Sequence, residues 1–454
     1  MSLGNFLNRS QYDETSHPAP QALIDAIKGH IRASEGEAQL KSTPRYLALV
    51  VKSLEQAIHA KENGNFCAIH SMGYPIELFW PLGIMPLCNE LGSAMIGLIG
   101  EDSERYLSIA EDNGVPRCSC EYYRTFYGLA EIGACPVPDF VTHSGSPCFP
   151  APTAREMATW RMGASDLRLD RPYKLFTSQS MDYWVSEHRA LVRFLEEQTG
   201  RGMDYDYLKE VTKLSFRATQ IYREINELRC AVPCPLPAEA SFAPLAVYGA
   251  WTGTQLCVDF LEQLRDELQD RVDRGIGAVA QEKFRYTCST SLPYFDYGVM
   301  TETEKRYGAV NVMDHLQWWR EDADWLIDPD DPLASLACRA QFGISNSLHG
   351  TALDRGEQMR QATLKCKADG VVHFNNLGCR HGAGGYRILK DTIESSLGLP
   401  WAAINCDMLD RSITSVAEVM HQLDIFFETI ETSEAYQERS RQRRPRSGER
   451  LGTA

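Results

Sequence analysis

The sequence predicts an α/β protein in which two parallel-sheet units are joined by helices. Short apolar runs, each followed by turn residues and a helical pattern, recur in two regions, residues 65–180 and 276–430. Between these regions the strand signals vanish and long amphipathic helical patterns replace them. The length of 454 residues predicts about three folding units or two large ones.

The predicted organisation follows the chain in five parts. These are an N-terminal helical segment (1–64), a first α/β domain (65–180), a helical connector (181–275), a second α/β domain (276–430) and a flexible basic tail (431–454). The N-terminal segment is expected to be helical because apolar residues recur at three- and four-residue spacing over 22–33 and 46–61, with a break near Pro44. No internal repeat is visible in the sequence.

The strands and helices of the first domain and connector are predicted from apolar periodicity. In the first domain we expect strands at 66–70 and 139–142, a helix beginning at 75–82, a loop at 144–147 and helices at 121–132 and 151–160. In the connector we expect helices at 183–198, 206–228 and 248–274.

The second domain repeats the strand–helix alternation. We expect strands at 284–288, 309–313, 370–374 and 401–404, and helices at 352–367, 384–397 and 416–430. The last helix carries apolar residues at 416, 419, 420, 423, 427 and 430. The arginine-rich end, 439–450, is expected to be a solvated tail.

Composition excludes several classes of protein. There are 46 basic and 61 acidic residues, a formal charge of −15, which argues against nucleic acid as a main partner. Residues 1–15 lack the pattern of a secretory signal, and the apolar run 76–88 is too short and too interrupted to span a membrane. We therefore expect a cytoplasmic protein whose 14 cysteines are buried thiols, metal ligands or catalytic thiols rather than a disulfide framework.

Common catalytic and nucleotide-binding motifs are missing from the sequence. It contains no G-x-x-x-x-G-K-[ST], no G-x-G-x-x-G after a strand, no H-E-x-x-H, no G-x-S-x-G and no C-x-x-C. We therefore do not expect ATP or a dinucleotide to bind through these motifs. The close pairs Cys118/Cys120 and Cys230/Cys234 are weak signals by themselves.

Three cysteines lie where a predicted strand or loop turns into a helix. Cys148 ends PDFVTHSGSPC, Cys379 ends GVVHFNNLGC, and Cys120 precedes the helix predicted at 121–132. Ligands of open α/β sheets bind beyond the carboxyl ends of strands, and a helix N-terminus favours a thiolate. Three such thiolates suit an iron–sulfur cube with one iron that lacks a cysteine. The alternative is that each is a buried thiol, which is the expectation for the remaining cysteines.

Several stretches resemble the 2-hydroxyacyl-CoA dehydratase and benzoyl-CoA reductase family. They are KADGVVHFNNLGCRHGAGGYRILKDTIESSLGLPWAAINCDMLDR, IAEDNGVPRCSCEYYRTFYGLAEIG with Arg124 after Cys120, PDFVTHSGSPCFPAPTAREMATW and WTGTQLCVDFLEQLRDELQDRV. The resemblance covers about residues 65–430 and keeps the order of the motifs.

The resemblance implies two flavodoxin- or Rossmann-like α/β domains with a 4Fe-4S cluster in the cleft. The ligands that it implies are Cys120, Cys148 and Cys379. It further implies a heterodimer with a homologous second subunit, and a separate ATP-hydrolysing iron–sulfur activator that donates electrons. The acyl-CoA substrate is then reduced to a ketyl radical, which either loses its 2-hydroxyl group or leads to a dearomatised benzoyl-CoA.

Within the family, the stretch GTQLCVDFLEQLRDEL and the region around Glu77 favour the benzoyl-CoA reductase branch. Three alternatives stay open. The chain could be a subunit of a 2-hydroxyacyl-CoA dehydratase, a reductase with a double-cubane 8Fe cluster that uses Cys118, Cys230 and Cys234, or an electron-relay partner without catalysis.

Glu77, in YPIELFWPLGIMP, matches a recurrent glutamate of the family and is the predicted catalytic residue. A carboxylate near the open iron could shuttle protons or hold the iron-bound water. The alternative is a glutamate that simply favours a helix N-terminus. For Ser71, His70 and His381, near predicted loop mouths, surface or hydrogen-bonded roles are expected.

Overall fold

A computed structural model describes residues 20–34, 38–98, 103–144, 150–172, 177–320, 328, 330–343, 350–434 and 436–438. It confirms the α/β fold with two parallel four-stranded sheets. The strands are β1 (Phe66–His70), β2 (Ile84–Cys88), β3 (Phe140–Ser144), β4 (Ser165–Leu169), β5 (Phe284–Cys288), β6 (Ala309–Asp314), β7 (Gly370–Asn376) and β8 (Trp401–Cys406).

Helices surround both sheets. Those of the N-terminal segment and first domain are α1 (Pro20–Ser34), α2 (Ser42–Ile58), α3 (Asn89–Leu98), α4 (Ser103–Asp112), α5 (Glu121–Glu131) and α6 (Pro150–Met162). Those of the connector are α7 (Ser178–Thr199), α8 (Tyr205–Arg229), α9 (Ala243–Trp251) and α10 (Gln255–Asp273). Those of the second domain are α11 (Gly298–Tyr307), α12 (Pro332–Phe342), α13 (Ala352–Lys365), α14 (Arg380–Ala383), α15 (Tyr386–Leu397) and α16 (Val416–Thr432).

The two sheets share one strand order. The first is β2-β1-β3-β4 and the second is β6-β5-β7-β8, with every neighbouring pair parallel. In each sheet the second strand therefore lies on one side of the first strand, and the third and fourth strands lie on its other side. This change of side opens a crevice at the carboxyl ends of the first and third strands. The structure thus contains a repeated topology that the sequence does not reveal.

One hydrophobic core connects the parts of the molecule. It runs from α2 through β1 and the connector to β7 and α16, with members such as Leu54, Ile69, Leu264, Val372 and Phe427. Because the connector helices contribute to this core, they fix the two sheets against each other rather than acting as a flexible linker. The predicted domain limits themselves stay a prediction.

Two predicted helices are wrong. The helix predicted from residue 75 is instead a pair of 3-10 turns, Ile76–Leu78 and Trp80–Leu82, followed by β2. The helix predicted over 248–274 is two helices, because Gly253 has a left-handed φ of 86° and Thr254 caps α10 by accepting the Cys257 N–H.

Cys230 and Cys366 form a disulfide bond, so the prediction that both are packed thiols is wrong. They are the first residues after α8 and α13, respectively. The buried Arg285 of β5 donates hydrogen bonds to the main-chain carbonyls of both cysteines. The disulfide thus ties the connector to the second domain.

The tail was predicted over 431–454, but α16 extends to Thr432, and Tyr436 is buried and donates a hydrogen bond to the Lys283 carbonyl at 3.2 Å. Residues 439–454 lie outside the described residues. The described helices include none that is both long and apolar enough to cross a membrane.

Candidate functional site

A cavity lies where the crevices of the two sheets face each other. It encloses about 1030 Å³, including space open to solvent. Its wall includes residues that follow the first and third strands of each sheet, namely Ser71 after β1, Ser144 at the end of β3, Ser291 after β5 and Cys379 after β7. We call it the switch-point cavity. Its position matches the place where open α/β sheets bind their ligands.

Cys120 and Cys379 both line the switch-point cavity, although they are far apart in the sequence. Cys120 is the residue that caps the N-terminus of α5, where its carbonyl accepts the Arg124 N–H at 3.0 Å. Cys379 caps α14, and its Sγ accepts the Gly382 N–H at 3.3 Å. The structure therefore brings together two of the three cysteines that the sequence singles out.

Arg124 anchors the segment that carries Cys120. Its guanidinium is fully buried and donates to the Glu111 carboxylate and to the Arg117 carbonyl. It also lies 3.8 Å from Asp410, which follows β8 in the second domain. The spacing from Cys120 to Arg124 that supported the family resemblance thus corresponds to an ionic contact between α5 and the loop after β8.

The third predicted ligand, Cys148, lies outside the described residues. Ser144, four residues earlier, lines the switch-point cavity at the end of β3. Within the described part of the chain, no group of three or more metal-ligating side chains occurs. The pair Cys120 and Cys379 fits two positions of a cysteine-ligated cluster, because both thiols face one cavity from separate loops. Cys118 is exposed and is not among the residues that line the cavity in the described structure.

Burial controls the protonation of the Cys379 thiol. It raises the pKa of Cys379 to about 11, and the nearby Glu121 carboxyl acts in the same direction, while the Gly382 N–H opposes both. In the metal-free chain this thiol is therefore protonated at neutral pH. A metal that binds here would displace that proton, so its affinity would rise with pH.

Glu77, the predicted catalytic residue, does not line the switch-point cavity in the described structure. Its carboxylate is fully buried and accepts hydrogen bonds from Arg339 Nη2 at 2.7 Å and from Ser215 Oγ at 2.5 Å. The ion pair with Arg339 joins the turn after β1 to α12, and the hydrogen bond from Ser215 joins it to α8. The catalytic role of Glu77 stays a prediction.

A different carboxylate, Glu90, lies on the cavity wall. It is the second residue of α3, and its Oε1 accepts the Tyr123 hydroxyl at 2.7 Å. The sequence offered no signal for Glu90, because β2, the strand that precedes it, was not predicted. A carboxylate that is hydrogen-bonded to a tyrosine and exposed to a cavity can accept or deliver a proton.

Aromatic side chains form much of the remaining wall. Tyr122, Phe242 and Tyr294 pack against one another, with ring centroids 5.3 Å apart for Phe242 and Tyr294 and 6.3 Å apart for Tyr122 and Tyr294. Aromatic rings gain additional stabilisation when another ring packs on their edge or face. The cavity therefore suits a flat, apolar group that approaches Cys120 and Cys379.

The other predicted residues have structural surroundings. His70 is buried, its Nδ1 lies 2.9 Å from the Ser71 carbonyl, and burial lowers the pKa of His70 to about 3. Its ring is therefore neutral at physiological pH. The main-chain carbonyl of His381 accepts a hydrogen bond from Arg355 Nη1 at 2.9 Å.

Comparison with known proteins identifies the family of this chain. The model of the 2-hydroxyglutaryl-CoA dehydratase D-component family matches residues 71–430. A benzoyl-CoA reductase subunit of Thauera aromatica is 24% identical over 345 residues, which cover 71% of this chain and 79% of that protein. The α subunit of (R)-2-hydroxyisocaproyl-CoA dehydratase from Clostridioides difficile is 23% identical over 396 residues, covering 84% and 94%. The α subunit of lactoyl-CoA dehydratase from Anaerotignum propionicum is 20% identical over 407 residues, covering 85% and 95%.

Proposed function

The chain belongs to the 2-hydroxyglutaryl-CoA dehydratase D-component family, and we propose that it is the cluster-bearing subunit of a benzoyl-CoA reductase-type enzyme. Membership makes it a component of a dehydratase or reductase, and the aromatic acyl-CoA substrate is part of the proposal. The observation that carries the proposal is the meeting of Cys120 and Cys379 in one cavity at the switch points of both sheets.

We propose Cys120, Cys148 and Cys379 as the ligands of a 4Fe-4S cluster. Bound there, the cluster would supply low-potential single-electron transfer and an iron atom without a cysteine ligand. The protein contributes thiols at the N-termini of α5 and α14.

The chain's own residues have distinct tasks in this proposal. The aromatic wall of Tyr122, Phe242 and Tyr294 holds the acyl group flat against the cysteine-bearing side of the cavity. Glu90 exchanges a proton with the bound acyl group, and the Tyr123 hydroxyl holds the Glu90 carboxylate in place.

The relatives' names support a partner. All three relatives are named as subunits, two of them as α subunits, so each of those proteins works within a complex. We extend this to a heterodimer of this chain with a homologous second subunit. Electrons would come from a separate ATP-hydrolysing iron–sulfur activator.

A 2-hydroxyacyl-CoA dehydratase subunit is the second candidate. One observation favours it, namely that the alignment spans 94% of the hydroxyisocaproyl-CoA dehydratase α subunit but 79% of the reductase subunit. The same cavity would then hold an aliphatic 2-hydroxyacyl group, and Glu90 would accept a proton from it.

The test is a spectroscopic titration of the anaerobically reconstituted chain, with and without its partner subunit, using benzoyl-CoA and a 2-hydroxyacyl-CoA. We expect benzoyl-CoA to change the electron paramagnetic resonance (EPR) spectrum of this chain's cluster. A response to the 2-hydroxyacyl-CoA alone would favour the dehydratase. A response confined to the partner's cluster would identify this chain as an electron relay.

Glu90→Gln tests the proposed proton exchange. Because general acid–base catalysis typically contributes about 10²- to 10⁴-fold, we expect kcat to fall within that range while iron content and acyl-CoA binding stay unchanged. Glu104→Gln, in α4 and outside the set of cavity-lining residues, is the matched control. Unchanged turnover in Glu90→Gln would exclude Glu90 from proton transfer.

A further inference from the structure

The two cysteine-bearing loops contact each other through the residues next to the cysteines. Glu121, the first residue of α5, directly follows Cys120, and Gly378 directly precedes Cys379. The Glu121 side chain lies against the main chain of Gly378. Any change in this contact would therefore alter the separation between the two thiols.

The contact leaves no room for a side chain at residue 378. A Cβ atom added to Gly378 would lie 1.7 Å from Glu121 Oε1, 2.8 Å from Glu121 Cδ and 2.8 Å from the Ser119 carbonyl oxygen. Gly378 does not have a left-handed φ. Space, rather than backbone conformation, therefore requires glycine here.

Glu121 is an unusual residue for this place. Its side chain is fully buried, and its carboxyl group has a second buried carboxyl group, that of Asp407, as hydrogen-bond partner. Two adjacent buried carboxyl groups are unfavourable when charged, because they lose their hydration and repel each other. A small apolar residue would avoid this cost, so the length of the Glu121 side chain calls for a specific role.

The loop after β8 places another buried carboxyl group next to that of Glu121. Asp407, directly after β8, is also buried and faces Glu121, while its Oδ1 accepts the Met408 N–H at 3.0 Å. Burial and the neighbouring Asp407 raise the pKa of Glu121 well above its ordinary value. Met408 lines the switch-point cavity. The Glu121 side chain is thus enclosed by the segments that carry Cys120, Cys379 and Met408.

We propose that Glu121 is a positioning residue, a spacer between the Cys120 and Cys379 loops that sets the separation at which both thiols bind one metal cluster. The inference rests on the proposed function, since it assumes that these cysteines are ligands. It adds that the size of the Glu121 side chain and the absence of a side chain at Gly378 are matched to each other.

The proposal predicts that two substitutions shift the loops in opposite directions, and that both shifts weaken the cluster. Gly378→Ala forces the loops apart, and Glu121→Ala leaves a gap into which they can collapse. Glu121→Gln keeps the shape of the side chain and should behave like wild type. In the double variant Glu121→Ala with Gly378→Ala, the shortest of the clashes is removed, so part of the loss caused by Gly378→Ala should be recovered.

The experiment measures iron and acid-labile sulfide, the EPR spectrum of the reduced cluster and iron loss to a chelator, all on the anaerobically reconstituted full chain. We expect Gly378→Ala and Glu121→Ala to weaken iron retention by about 10- to 100-fold, the range typical of residues that hold metal ligands in place. Glu121→Gln and the control Gly202→Ala, whose added Cβ meets nothing within 4 Å, should match wild type.

The outcomes separate the spacer from the proposed function. Wild-type retention and spectra in Glu121→Ala would overturn the spacer, as would a loss in Glu121→Gln equal to that in Glu121→Ala. If thermal unfolding shows that Gly378→Ala is not folded, the iron retention of Glu121→Ala compared with that of Glu121→Gln decides whether Glu121 is a spacer. A wild-type chain that binds no iron would instead overturn the proposed function.

Discussion

At the scale of single residues, Glu77 and Glu90 have opposite surroundings. Glu77 is enclosed by Arg339 and Ser215. Glu90 lies on the wall of the switch-point cavity, where it accepts hydrogen bonds from the Tyr123 hydroxyl and the Cys88 thiol. A buried ion pair is costly to break, because the remaining charge stays buried without compensation. The geometry therefore supports a structural task for Glu77 and a chemical one for Glu90.

Glu77→Gln tests the structural task. We expect it to lower the free energy of unfolding by about 3–5 kcal/mol, because Arg339 would keep its buried charge without a counter-charge. Chemical denaturation measures the free energy of unfolding of both proteins. Glu210→Gln, which removes an exposed ion pair with Lys213, is the control and should have little effect. Wild-type stability with lost activity in Glu77→Gln would instead support the catalytic role.

Glu304 provides a prediction about pH. Burial raises the pKa of Glu304 in the folded chain to about 8, against an ordinary value of 4.5. Between these values the folded state holds a proton that the unfolded state has lost, so this group's contribution to stability falls as the pH rises from about 4.5 to about 8. Glu304→Gln is neutral throughout and can still accept the Ala238 N–H.

We therefore expect the stability of Glu304→Gln relative to wild type to increase across that pH range and to level off above it. Denaturant unfolding at several pH values measures the difference. Parallel stability curves for the two proteins would contradict the raised pKa. Taking the difference cancels the contributions of other groups, including the buried histidines.

Part of the candidate site was predictable from single residues. Cys120 and Cys379 were found because cysteine at a strand-to-helix turn has a clear physical meaning in an open α/β sheet. Glu90 was missed because its meaning depends on β2, whose sequence IMPLC contains a proline. The placement of Cys148 at the cavity stays a prediction, since that residue lies outside the described ranges.

At the scale of elements, all four strands of the second sheet were predicted, including its edge strands β6 and β8, whereas the two edge strands of the first sheet were not. The predicted bounds of β1 and β5 agree with the structure, and both strands lie between two neighbours. Strands β2 and β4 lie at the two edges of the first sheet. An edge strand tolerates Pro86 in β2 and the polar sequence SDLRL in β4, so neither has the usual apolar pattern.

The disulfide between Cys230 and Cys366 is the testable link between elements. Non-reducing peptide mapping should recover the two cysteines in one linked peptide pair. Cys366→Ser should lower the free energy of unfolding by about 2–4 kcal/mol, since it frees the ends of α8 and α13 in the unfolded chain. A reductant should destabilise wild type but not this variant.

Cys118→Ser is the matched control, because Cys118 is an exposed thiol. It should leave both the linked peptide pair and the stability unchanged. Alkylation of Cys230 and Cys366 in the denatured but unreduced protein would contradict the disulfide.

At the scale of the whole molecule, function depends on how two sheets of equal strand order face each other. Each sheet presents its switch point to the same cavity, and the shared core that includes the connector holds them in that arrangement. The alternation of strands and helices predicted two sheets, but relative orientation depends on contacts between distant residues, such as Arg124 with Asp410. Such contacts leave no periodic signal in a sequence.

The most direct measurement is anaerobic iron and acid-labile sulfide content, with Cys120→Ala, Cys148→Ala, Cys379→Ala and the control Cys118→Ala beside wild type. We expect about four irons and about four sulfides per chain, as in a 4Fe-4S cluster, lost in the first three variants and kept in the control. About eight irons would favour the double-cubane alternative. No iron after anaerobic purification and reconstitution would contradict the cluster and leave Cys120 and Cys379 as buried thiols.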